Sequence, residues 1–249
     1  MCIRDSLNTS HGMTIPGSKG EILTNEICKV CTVRSVALFK DLDLEVFDKF
    51  HSAIREVEIG KGDHLYNIGD TGERVYTIRK GIIKQVQYLP DGTQRIVRLL
   101  KQGDLAGIEA TTGSAYQHDA IALTSVDTCA IPVKTIEMLA TEQPQLHKTL
   151  LSKWKDALST SDSWLTRLST GPSRYRVIRL LIWLAENSSE KAFYLPGRED
   201  IGNMLALTTE TVSRTIADLR RDGLIELVRS DYARADLRKL KSIVKDEAS

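Results

Sequence analysis

The sequence lacks any apolar run approaching the ~20 residues needed to span a bilayer; its longest, Val177 to Ala185, is interrupted by Arg179. No apolar stretch follows Arg4 and Asp5, so no secretory signal is read there, and a cytoplasmic protein without a membrane partner is expected. There are only 4 cysteines, Cys2, Cys28, Cys31 and Cys129, too few and too unevenly spread for a disulfide-stapled secreted scaffold. Aromatics are scarce at 6%, and neither charge sign dominates: 34 Lys and Arg face 33 Asp and Glu. What remains is a chain of 249 residues, 41% hydrophobic and 27% charged, values that exclude general disorder and a fibrous repeat. Its length accommodates one large domain or two of ordinary size.

A net charge of +1 looks unlike a nucleic-acid binder, whose usual footprint is a basic surplus. The balance is uneven, however. From Gly171 onward the chain carries 14 basic against 12 acidic side chains, and the rest is slightly acidic. Placement of the charges must therefore decide the question.

The first twenty residues are rich in Gly, Ser and Pro without apolar periodicity and read as a loose tail. Leu44, Val46, Phe47, Phe50 and Ile54 recur at helical spacing after a possible cap at Asp41 or Asp43. Between Glu56 and Val133 the texture changes to short alternating runs split by Gly60, Gly62, Gly81, Gly92 and Gly103. That pattern predicts an antiparallel roll of about eight strands.

After Pro144, residues Leu150, Trp154, Ala157, Ser161, Trp164 and Leu168 follow alternating spacings of 4 and 3, the seam of a two-helix coil, until Gly171-Pro172 stops the helix. A dimer seam is expected, the alternative being a helix lying on its own roll. Leu146, Leu151, Leu158 and Leu165 widen the stripe, so part of the helix can touch both. A further helix holds Val177, Leu180, Leu181 and Leu184. A compact helical pair from Arg198 to Asp222 and a strand from Leu224 to Val228 then complete the order of a winged helix.

Within that pair, Ile201, Leu205, Leu207, Val212, Ile216 and Leu219 supply the apolar contacts, and Gly202 permits close approach. Thr208 is a good N-cap for a second helix from about Thr209 to Arg221. Glu210, Ser213 and Arg214 then share one exposed face near its N-terminus, where such helices meet base edges. Arg donates two bonds to guanine, Glu accepts from the cytosine amino group, and Ser takes base or phosphate. Thr208, Thr209 and Thr211 can hold backbone phosphate with the free N–H groups of the first turn. The bland alternative is a solvated Glu-Arg pair on an ordinary helical hairpin.

The stretch Leu205-Ala-Leu-Thr-Thr-Glu-Thr-Val-Ser-Arg214, with Leu219 and Asp222-Gly-Leu-Ile-Glu226, resembles the helix-turn-helix of the Crp/Fnr family of bacterial transcription factors, those of the cyclic-AMP receptor protein and the fumarate-nitrate reduction regulator. The resemblance runs over nearly all the chain after residue 27, and the Glu-x-x-Ser-Arg motif is closest to the fumarate-nitrate branch. It implies an α+β fold: a cyclic-nucleotide-binding-like β-roll, a long dimerisation helix and a C-terminal winged helix-turn-helix. The boundaries expected are a tail at 1–27, the sensor roll at 28–143, the dimer helix at 144–170 and the DNA-binding domain at 171–249. The partners implied are double-stranded DNA carrying a TTGAT-type inverted repeat, a second copy of the chain, and RNA polymerase, whose contact loop in the family resembles the turn at Asp91-Gly92. Ala206 departs from the family's usual turn glycine. If that backbone is left-handed, its Cβ costs ~1 kcal/mol.

Three sensor readings stay open. The roll of the cyclic-AMP branch neutralises the cyclic phosphate with an arginine, but the matching stretch from Gly103 to Glu109 and Thr111 to His118 has none, so cyclic AMP is not expected. The fumarate-nitrate branch holds an iron-sulfur cluster on four cysteines. Cys28-x-x-Cys31, by itself a metal, cluster or redox pair, matches two of them and Cys129 a third, while position 37, near where the remaining one is expected, is alanine. The fourth donor would have to be Cys2 or a carboxylate such as Asp41 or Asp43. Thiol chemistry without a cluster, or a different ligand, haem included, are the alternatives. His51, His64, His118 and His147 show no ligand spacing, and no catalytic triad, carboxylate pair or phosphate-loop pattern suggests an enzyme.

Overall fold

The computed structural model describes residues 38, 39, 46, 50–188 and 190–247. Cys2, Cys28, Cys31, Asp41, Asp43 and the N-terminal tail lie outside the described residues. Of the helix expected over Leu44 to Ile54, Val46 and Phe50 are helical and pack on the roll core, and a 3-10 turn covers His51–Ala53.

Eight strands form the roll: β1 (Arg55–Ile59), β2 (His64–Tyr66), β3 (Arg74–Lys80), β4 (Ile83–Tyr88), β5 (Gln94–Leu100), β6 (Leu105–Ala106), β7 (Asp119–Ala122) and β8 (Val126–Pro132). They make two antiparallel sheets, ordered β1-β8-β3-β6 and β2-β7-β4-β5. Alternation explains their placing: Val57 and Ile59 are buried while Glu56 and Glu58 lie outward. Val75, Ile78, Ile83, Leu100, Val126 and Ile131 complete the core between the sheets. The tight β3–β4 turn depends on Gly81 at φ 86°, where a Cβ would lie 2.3 Å from the Ser125 carbonyl oxygen.

Helix α1 (Val133–Glu142) covers the roll with Val133, Ile136 and Leu139, and Pro144 starts α2 (Pro144–Arg167) in a new direction. On α2 the expected seam needs correction. Leu150 and Trp164 are only 8% and 7% exposed, buried within this same chain together with Leu168, and Ser161 accepts a hydrogen bond from Arg98 of β5. The unpartnered stripe is instead Leu151, Leu158 and Leu165, exposed by 59%, 64% and 67%, flanked by the partly exposed Trp154. Both rows repeat every seven residues; the roll and the following domain cover Leu150, Trp164 and Leu168 of the first and leave the second to solvent.

The C-terminal unit comprises α3 (Ser173–Glu186), β9 (Phe193–Tyr194), α4 (Arg198–Leu205), α5 (Thr209–Arg221), β10 (Ile225–Arg229), β11 (Tyr232–Ala235) and α6 (Leu237–Glu247), with sheet order β10-β11-β9. Strand β9 and helix α6 were not anticipated. Their core is shared with the roll: Val86, Ile96, Leu99, Ile121 and Leu123 belong to the same buried cluster as Val177, Leu181 and Ile201. Trp164 of α2 meets Trp183 of α3 edge to face at 5.8 Å.

Candidate nucleic-acid interface

Helices α4 and α5 are clamped by Ile201, Leu205, Val212, Ile216 and Leu219, all fully buried, with Leu207 half-buried in the turn. The turn itself is tight. Ala206 has φ 51° and ψ 50°, the left-handed conformation, and is the one non-glycine residue with positive φ among the described residues. The N–H groups of Ala206 and Leu207 both donate to the Gly202 carbonyl. A Cβ on Gly202 would lie 2.6 Å from the Leu207 carbonyl oxygen, so this glycine is needed by the backbone of the turn rather than by the facing helix.

Thr208 caps α5, its hydroxyl accepting from the Thr211 N–H at 3.2 Å. The Thr208 and Thr211 hydroxyls also pair at 2.9 Å, and Thr209 is exposed. The first turn thus keeps its other N–H groups and the Thr209 hydroxyl for an anion. Glu210, Ser213 and Arg214 are exposed on one face, and no side-chain hydrogen bond or ion pair among the described residues engages them. That removes the Glu-Arg pair of the bland alternative: Arg214 does not close on Glu210.

The same face continues through Ala217 to Arg221, which pairs with Asp218. Beside it an open groove runs between α5 and the β10–β11 hairpin, lined by Ala217, Arg220, Arg221, Leu224, Glu226 and Arg234. These arginines escaped a sequence reading because only the fold brings β11 next to α5. Arg198, at the start of α4, is held below its ordinary value by burial and then by the Arg220 cation. The Arg174 guanidinium donates to Asp222 at 2.7 Å, tying α3 to the end of α5.

Polar contacts fasten this unit to the roll. Lys84 of β4 meets Asp200 of α4 at 2.6 Å, both mostly buried, and the Asn203 amide donates to Gln94 at 3.3 Å. Lys61 donates to Asp231 in the β10–β11 turn at 3.1 Å and lies 5.6 Å from the Tyr194 ring centre. The Asp231 bond raises the Lys61 pKa, and the same bond lowers that of Asp231, although both are exposed.

Of the candidate cysteine ligands, Cys129 lies among the described residues. Cys129 is half-buried on β8, in register with Glu56 on one side and Thr77 on the other, and packs against the roll core. No cluster of three potential metal-binding side chains occurs among the described residues. The segment Gly103 to Glu109 forms β6 and a 3-10 turn, and the Asp91-Gly92 turn is the exposed tip of the β4–β5 hairpin. Among the described residues His118 is half-buried with its Nδ1 atom buried, while His64 and His147 are exposed. No described helix is long and apolar enough to cross a membrane.

Comparison with known proteins places these features together. Residues 56–143 match the cyclic nucleotide-binding domain family, and residues 175–243 match the Crp-like helix-turn-helix domain family. The chain is 27% identical over 207 residues to the fumarate and nitrate reduction regulatory protein of Vibrio cholerae, covering 80% of this chain and 83% of that one. It is 26% identical to the transcriptional regulatory protein btr of Bordetella pertussis, over 89% and 94% of the two chains. Among solved structures, FixK2 from Bradyrhizobium japonicum has the same fold, with a TM-score of 0.70 at 23% identity over 76% of this chain and 96% of that one.

Proposed function

The chain belongs to the Crp/Fnr family of transcriptional regulators, and from that premise we propose that it acts as a homodimer, reads a TTGAT-like inverted repeat, and responds to oxygen or redox state. The family consists of DNA-binding regulators, not enzymes. The observation that carries the specific reading is the free triad of Glu210, Ser213 and Arg214 on α5. Its residue types suit guanine and cytosine edges, and the first turn beside it suits phosphate.

Dimerisation through Leu151, Leu158 and Leu165 is supported by their exposure in a row along α2. A two-fold pair would present two α5 helices to successive major grooves. The tip at Asp91-Gly92 is offered as the surface for RNA polymerase. The proposed boundaries remain the roll at 28–143, the dimer helix at 144–170 and the reader at 171–249, working in the cytoplasm.

The iron-sulfur cluster of the fumarate-nitrate branch is matched here in three donors, and a fourth would come from Cys2 or a carboxylate such as Asp41 or Asp43. Four thiolates are wanted; Cys28, Cys31 and Cys129 supply three, and Cys129 is packed on a strand against apolar neighbours. The redox response is assigned to these cysteines, through such a cluster or through thiol chemistry alone, and the names of the relatives suit a redox signal. The test is a gel shift on a TTGAT-N4-ATCAA duplex under anaerobic and oxidised conditions, with iron and sulfide analysis. Reversible loss of binding on oxidation supports the reading. Equal binding in both states would reject redox control, and the iron and sulfide content separates a cluster from thiol chemistry alone.

A further inference from the structure

We propose that the contact between the reader and the roll sets the half-site spacing that the dimer accepts, with Lys84 and Gln94 of the roll as positioning residues acting through Asp200 and Asn203 of α4. The inference rests on the DNA reading of the preceding section and involves neither a ligand nor the cysteines.

The reader is joined to α2 through residues 168–172, where Gly171 has φ 82°. Arg176 braces this bend by donating to the Leu168 carbonyl at 3.1 Å, and Arg179 does so by donating to those of Arg167 and Thr170 at 3.1 and 3.3 Å. These bonds act at the pivot, so a small slack in them becomes a large swing of α5. A second attachment, made away from the pivot, removes that swing. It is supplied by α4, the helix clamped to α5, whose Ile201 and Met204 share a buried cluster with Val86, Ile96 and Leu99 of β4 and β5.

Apolar burial is non-directional and tolerates sliding. The polar contacts do not. Lys84 and Asp200 meet at 2.6 Å with side chains only 13% and 21% exposed, so any shift that parts them strands two mostly buried charges. The Asn203 amide, one turn further along α4, donates to Gln94 of β5 at 3.3 Å, which fixes the direction of the helix as well as its place. Lys61, at 3.1 Å from Asp231, pins the β10–β11 turn too, an exposed pair of small worth by itself. A two-fold pair of readers held in this way presents its α5 helices at one separation and one angle. Adding a base pair between half-sites shifts one of them by about 3.4 Å and turns it by roughly 35°, more than hydrogen bonds to base edges can follow.

The test measures affinity of the full chain for TTGAT-N4-ATCAA and for the same half-sites separated by three, five or six base pairs. The parent should prefer one spacing over its neighbours by about tenfold or more. Lys84→Gln should cut that preference at least about threefold while keeping the preference for TTGAT over altered half-sites. Lys84→Glu combined with Asp200→Lys, which restores the pair with its charges exchanged, should recover it. Lys61→Ala combined with Gln94→Ala, changes at exposed and half-buried side chains that leave the core intact, should cut it in the same sense even if the Lys84 variants fold poorly. A parent indifferent to spacing, variants with the parent's spacing preference, or variants that lose base selectivity together with spacing would overturn the proposal. A parent with no preference for TTGAT at any spacing would overturn the reading of α5 itself, and the proposal with it.

Discussion

Replacing Ala206 by glycine should stabilise the protein, against the usual rule that glycine weakens a helical unit. The residue has φ 51° and ψ 50°, where a Cβ costs about 1–2 kcal/mol through its approach to the following carbonyl. Glycine removes that cost but frees the unfolded chain, which returns roughly 0.4–1 kcal/mol. Ala206 is exposed, so no packing is lost with its methyl group. The net expectation is a gain of about 0.5–1 kcal/mol, or roughly 1–4 °C in Tm for a chain of this length. Urea unfolding followed by tryptophan fluorescence measures it, because Trp164 and Trp183 lie in the core shared with the turn. DNA affinity should be unchanged. An Ala206→Gly variant that is less stable than the parent would refute the left-handed assignment and the strain argued from it.

Other consequences are as concrete. Leu158→Glu, at the centre of the exposed stripe, should convert a dimer to a monomer in sedimentation equilibrium and reduce affinity for a palindrome while leaving the unfolding midpoint of the monomer nearly unaltered. Breaking the mostly buried Lys84–Asp200 pair by Lys84→Met should cost about 1 kcal/mol or more, and a double-mutant cycle with Asp200→Asn should show coupling; zero coupling would mean that the pair does not hold the two units together. Burial holds the His118 imidazole below its ordinary 6.5, despite the attraction of Glu109, with Arg98 adding to the depression. The unfolded chain therefore binds the proton more readily, and stability present above about pH 6.5 is lost as pH falls below it. His118→Gln should flatten that limb of the stability curve, and an unchanged slope would exclude His118 as its source.

Much of this architecture was legible in one sequence because its signals are local. The expected span of α5, Thr209 to Arg221, agrees with the observed one because Thr208 is a good cap and Asp222-Gly223 a good stop. The eight strands followed from alternation punctuated by glycine. What escaped depends on distant parts of the chain meeting. Two adjacent heptad rows on α2 cannot be ranked by spacing alone; only the roll and α3, arriving from elsewhere, cover Leu150, Trp164 and Leu168 and leave Leu151, Leu158 and Leu165 exposed. Arg98 meets Ser161 only because the fold lays α2 beside β5. The shared core and the Lys84–Asp200 pair join residues more than a hundred positions apart, beyond the reach of any periodicity. Strand β9 has two residues, too few to show alternation.

The central claim, that the exposed face of α5 reads DNA bases, is tested most directly by measuring the affinity of the Arg214→Ala chain for TTGAT-N4-ATCAA and for duplexes altered at each half-site position. The account predicts a loss of about 1–3 kcal/mol per contacted base pair on the intact site, with discrimination relaxed at one position of each half-site and retained at the others. Full affinity with undiminished selectivity at every position would contradict it.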